Sequence, residues 1–156
     1  MENILAVQIR RDSRRCLSHI QIYGDEQVHT KLIAFKYPRL LAISFSTAGG
    51  LEECDDHAIY DGLEFISNFI RNLHYGRKAD KFWVGPELPP QKYSAKLAND
   101  QIEEEGTNEE IDAQLINEGK GQYIGNIKEK TKQAKETILN LYIDISNSRP
   151  EQYQQV

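Results

Sequence analysis

Through the first fifty residues apolar and polar side chains tend to change places every second position. "ILAVQI" sets Leu5, Val7 and Ile9 on one side, and "CLSHIQIY" is rich in branched and aromatic residues. "QVHTKLIAF" follows the turn signal "GDE", and "RLLAISFST" follows "KYP". There Pro38 fixes its own φ and pushes Tyr37 out of the helical region. A period of two, broken by short runs of turn residues, reads as hairpins in series. The pattern predicts a four-stranded antiparallel meander. Leu41, Ile43 and Phe45 would face its core, with Ile33 and Phe35 beside them.

The period then changes. In "AGGLEECDDHAIYDGLEFISNFIRNLHYG", Ile59, Leu63, Ile66, Ile70 and Leu73 recur at three and four residues, with Phe69 beside them. This is an amphipathic helix. Asp55 or Asp56 can cap its start. His74 and Gly76 suit its end. Gly62 costs about 1 kcal/mol inside a helix and implies close packing. A bare sheet face is unstable, so this helix is expected to cover the meander.

"KADKFWVGPELPPQKY" holds three of the five prolines and the one tryptophan, and reads as a loop anchored by Phe82 and Trp83. "TNEEIDAQLINEG" reads as a short helix capped by Thr107 with Glu110 three residues on. In "NIKEKTKQAKETILNLYIDIS", Ile127, Thr131, Ala134, Ile138, Leu141 and Ile145 repeat at four and three, behind Asn126 as cap. That seam can pack on the body of the protein or on the same helix of another copy.

The resulting fold class is α+β: an N-terminal four-stranded antiparallel meander packed by a helix, then a mainly helical C-terminal part. The organisation is residues 1–76 as sheet plus helix, 77–97 as anchoring loop, and 98–156 as an acidic helical region with a C-terminal helix. With 156 residues the three parts can also form one domain.

Charge divides the chain. Residues 1–50 hold seven Lys/Arg against four Asp/Glu, and residues 51–156 hold twelve against twenty, so +3 is joined to -8. Such asymmetry marks a candidate interaction surface. Two cysteines make no disulfide framework. The apolar run after "MEN" is too short for a signal peptide, and no stretch approaches a membrane span. A cytoplasmic protein without a membrane partner is the expectation.

Three stretches carry candidate chemistry. In "QIRRDSRRCLS", Arg10, Arg11, Arg14 and Arg15 would surround a hairpin tip, with Lys31 nearby on the sheet. Guanidinium forks match phosphate oxygens, and a basic hairpin can follow a nucleic-acid backbone. Against this, the pI is about 5.4, and arginines also suit a solvated sheet edge. The acidic stretch 100–118 could instead fold over them. In "CDDHAIYDGLE", His57, Asp61 and Glu64 share one helix face and could hold a divalent metal. A carboxylate-rich helix start more often reflects capping and solvation. The glycines of "STAGG" and "GKGQYIG" fit no phosphate-loop spacing. Cys16 reads as a buried, inert thiol.

The sequence therefore favours a non-enzymatic interaction or regulatory module that self-associates or meets a protein partner through Ile127, Ile138, Leu141 and Ile145. The alternative is a nucleotide or nucleic-acid binder using the arginines and Lys31. A second alternative is a small metal-dependent enzyme built on His57, Asp61 and Glu64. No cofactor is implied.

Overall fold

The computed structural model describes residues 4–45, 56–78, 85–119 and 125–139. Seven helices follow one another there: α1 (Ile4–Tyr23), α2 (Glu26–Ala34), α3 (Tyr37–Phe45), α4 (Asp56–Tyr75), α5 (Lys92–Glu104), α6 (Thr107–Gln114) and α7 (Ile127–Ile138). No sheet occurs among the described residues. One antiparallel bridge joins Arg77 and Leu88, whose N–H groups donate to each other's carbonyls at 2.7 and 2.8 Å.

The four-stranded meander, and the α+β class with it, is thereby overturned: the protein is mainly helical. The reason lies in which residues turn inward. Along α1, Ala6, Arg10, Arg14, Leu17, Ser18, Gln21 and Ile22 are wholly or partly buried, at spacings of four, three and one. That is a helical face, but much of it is polar. The apolar residues that suggested a strand mostly point to solvent: Leu5, Ile9, Ile20 and Tyr23 are 47–64% exposed. Strand propensity of branched residues mainly describes fit to a half-buried pleated surface, and no such surface forms here. In α3, Leu41 and Ala42 are buried while Leu40 and Ile43 are exposed, which no period of two allows.

The breaks between elements do follow the sequence. Asp25 caps α2 by accepting from the Val28 N–H at 2.9 Å. At Gly24 a Cβ would come within 2.6 Å of the Ile20 carbonyl oxygen and of Val28, so α1 and α2 meet only because no side chain stands there. Pro38 sits in the first turn of α3, where its missing N–H costs no helical bond. Gly76, at φ 71°, ends α4 in the left-handed conformation. Asn126 caps α7 by accepting from the Lys128 N–H at 2.8 Å. At α6 the capping position is Gly106 rather than Thr107, which is the first helical residue and is buried.

The amphipathic helix of the sequence is α4, and it is the centre of the molecule. Leu63, Ile66, Phe69, Ile70 and Leu73 are fully buried, and Ile59 nearly so. Helices α1, α3, α5 and α7 all pack on it. Each such side chain stabilises the fold by roughly 1.5–3 kcal/mol. The last helix turns Ile127, Thr131, Ala134 and Ile138 into this same core. Residues 98–118 fall in α5 and α6 and the turns after them, and α5 runs through residue 97. The anchors Phe82 and Trp83 lie outside the described residues.

A buried polar cluster fixes the first three helices to α4. Gln21 donates from Nε2 to the Phe65 carbonyl at 3.0 Å and accepts from the Tyr37 hydroxyl at 2.9 Å. Burial pushes the Tyr37 phenol above its usual range, so it stays protonated and remains a donor. The Tyr37 ring stands edge-on to Phe69, with centroids 5.3 Å apart. The His29 ring stacks on the same Phe69 at 5.5 Å. Its Nδ1 donates to the Asp25 carbonyl at 2.9 Å, which leaves Nε2 bare and buried.

This packing has two measurable consequences. Leu63→Ala, at a fully buried site, is expected to lose about 2–5 kcal/mol in urea denaturation. Burial, above all, lowers the pKa of His29 below its usual 6.5, and burial lowers His74 too. Both rings stay neutral in the fold while the unfolded chain takes up protons below about pH 6.5. Stability is therefore complete above that pH and falls as pH drops. The loss is at most about 1.4 kcal/mol per pH unit for the buried His29. It is smaller for the half-buried His74, whose charge water screens in part. Urea melts at pH 7.5 and 5.5 should show a smaller acid loss for His29→Gln than for the parent protein.

Candidate functional site

The helical fold brings together two stretches that stand far apart in sequence. Arg11, Arg14 and Arg15 lie at i, i+3 and i+4, hence on one side of α1. They line a cleft against α4 together with His57 and Asp61, over a cavity of about 90 Å³ closed by Ala58, Gly62 and Phe65. The arginines are thus set along a helix, not around a hairpin tip. Arg10 does not line this cleft; it is half-buried on the inward face of α1.

The members of the cleft differ in how they are engaged. Arg14 reaches the carbonyl of Ser44 in α3 at 3.4 Å. Asp61 has an interaction partner of its own. Arg11, Arg15 and His57 make no side-chain hydrogen bond or ion pair among the described residues. Asp56, also in the first turn of α4, is turned aside, with its carboxylate against Gly119. Among the described residues, three guanidinium groups therefore face one carboxylate across the cavity.

The acidic stretch belongs to another part of the bundle. Helices α5 and α6 pack on α2, α3, α4 and α7. Carboxylates of this stretch are engaged there: Glu105, at the end of α5, with Arg39 at 2.7 Å, and Asp112 with Lys135 at 2.5 Å. Glu64 leaves the metal trio as well. It lies 3.8 Å from Lys130 on α7 and does not line the arginine cleft. No group of three or more His, Cys, Asp or Glu side chains among the described residues is placed to share a metal ion.

A second surface escaped the sequence reading. Leu17 and Ile20 of α1, Val28, Leu32 and Phe35 along α2 and its end, and Tyr37 and Leu40 of α3 line an open groove of about 420 Å³. Lys31 is the one charged residue among its described lining residues, so Lys31 stands apart from the arginines. Phe35 is 78% exposed and Leu40 52%. Neither Lys31 nor the neighbouring Lys36 has an ion-pair partner among the described residues. A signal for this surface was present: Val28, Leu32 and Phe35 recur at four and three, the helical spacing.

The remaining sequence candidates fall elsewhere. Ile127 and Ile138 are buried in the protein's own core, and Leu141 and Ile145 lie outside the described residues. Cys16 is exposed on α1 rather than buried. A cleft of about 480 Å³ near the end of α7 sets Lys92 and Lys96 against Asp100 and Glu103, and so offers little net charge to select an ion. No described helix is long and apolar enough to cross a membrane. Compared with protein-family models, curated proteins and solved structures, the chain matches none of them.

Proposed function

We propose that this protein is a helical interaction module whose docking surface is the groove of α1, α2 and α3. The observation that carries the reading is the groove itself, lined by Leu17, Ile20, Val28, Leu32, Phe35 and Leu40 and left open to solvent. Single exposed apolar residues are ordinary on protein surfaces. A contiguous apolar patch drawn from three helices is the feature that marks a binding face. Its shape suits an amphipathic helix, whose apolar side chains at i, i+3, i+4 and i+7 fill such grooves.

Charge selects the occupant. Residues 4–45 hold seven Lys/Arg against three Asp/Glu, so the segment that builds the groove carries +4. Lys31 lies in the groove wall, and Lys36 follows Phe35. Face-to-face pairing of two copies would set like charges against each other, which costs affinity. The fitting partner is a separate protein that presents an apolar helix flanked by acidic residues.

Two synthetic helices with the same leucine stripe, one flanked by glutamates and one by lysines, test this reading by fluorescence anisotropy. The acidic helix is expected to bind at least ten times more tightly, and more weakly as salt rises. Phe35→Asp and Leu40→Glu, both at exposed positions, should abolish its binding while leaving the helical circular-dichroism signal intact. Equal binding of both helices, or binding that survives the two substitutions, contradicts the proposal. So does a dimer in sedimentation that those substitutions dissociate.

A further inference from the structure

We infer that the cleft between α1 and the first turns of α4 is a binding site for a single phosphate group. This inference is independent of the apolar groove, since no residue lines both. Arg11, Arg14 and Arg15 supply three positive charges on one helix face, and Asp61 is the one carboxylate among the described lining residues.

The engagement of each group sharpens this. Arg14 also reaches the Ser44 carbonyl at 3.4 Å. Arg11, Arg15 and His57 are the members with no side-chain partner among the described residues. Arg11 and Arg15 are one helical turn apart on α1, and His57 faces them from α4. Two free planar forks on neighbouring turns can hold separate oxygens of one tetrahedral anion, with an imidazole N–H opposite. Gln8, which also lines the cleft, is already engaged, since its Nε2 donates to the Asp12 carboxylate oxygens at 3.0 and 3.1 Å.

Size and surroundings choose among phosphate-bearing ligands. A cavity of about 90 Å³ is of a size to take one tetrahedral anion. A nucleic-acid strand needs a line of cations that follows its backbone. Lys31, the basic residue that would have extended such a line, lines the apolar groove instead. The ligand class is therefore a phosphate or phosphomonoester dianion, with whatever carries it projecting outward from the cleft.

Isothermal titration with inorganic phosphate, with a phosphomonoester and with a twelve-nucleotide single strand tests this on the full chain. Saturable phosphate binding at millimolar or tighter affinity is expected, and the phosphomonoester should bind at the same site. The double substitution Arg11→Ala with Arg15→Ala is expected to weaken both by at least tenfold. Both residues are exposed on a helix, so the fold should hold, and circular dichroism checks that it does. Lys92→Ala with Lys96→Ala, at the other charged cleft, should leave binding unchanged. No saturable phosphate binding, or equal losses from both double substitutions, overturns the inference. Tight oligonucleotide binding lost with Arg11 and Arg15, alongside none for inorganic phosphate, also overturns it in favour of a strand-binding surface.

Discussion

The structure depends on burying one helix. Leu63, Ile66, Phe69, Ile70 and Leu73 of α4 are removed from water entirely, and a single neighbour cannot cover so much surface. Four helices are drawn onto α4 as a result. The C-terminal helix commits its seam to this task, and so Ile127 and Ile138 are taken up by the protein's own core. The N-terminal helices reach α4 in a different way. They attach partly through hydrogen bonds, with Gln21 joined both to the Phe65 carbonyl and to the Tyr37 hydroxyl. A buried pair of this kind contributes modestly when made but is costly when broken, because each lost partner leaves a desolvated polar group behind.

That polar attachment explains the surface. Because α1 turns Arg10, Arg14, Ser18 and Gln21 inward, much of its apolar content is left facing out. Helices α2 and α3 fold back beside it and contribute Val28, Phe35 and Leu40 to the same exposed groove. Around the helix axis, Arg11 and Arg15 meet the start of α4 across a small cavity. One helix thus presents an apolar surface on one side and a cationic cleft on another. The proposed helix docking and phosphate binding draw on these two sides separately.

Much of α4 and α7 could be read from the sequence, because their apolar residues repeat at helical spacing and those same residues are the buried ones. Most helix breaks were legible too: Gly24-Asp25, Gly76 and Asn126 act locally, through backbone geometry and capping, whereas Pro38 does not push Tyr37 out of the helix but sits with it in the first turn of α3. Helices α1 to α3 were not legible as helices. A hydrophobic pattern reveals an element only when its apolar residues point inward, and in α1 the inward residues include arginine, serine and glutamine. The candidate site was half legible. The arginine cluster and the His57–Asp61 pair each stood out alone. Their meeting depends on α1 lying along α4, a contact between residues more than forty positions apart that no local pattern encodes.

The central claim is that residues 4–45 form three helices, with Gln21 tying α1 to α4 and to Tyr37 of α3. Backbone chemical shifts with side-chain nuclear Overhauser effects test it most directly. The account predicts helical Cα shifts across Ile4–Tyr23, Glu26–Ala34 and Tyr37–Phe45, and contacts from the Gln21 side-chain amide to the Tyr37 ring. Extended-type shifts in these segments, with cross-strand contacts between residues 5–9 and 17–23, would contradict it.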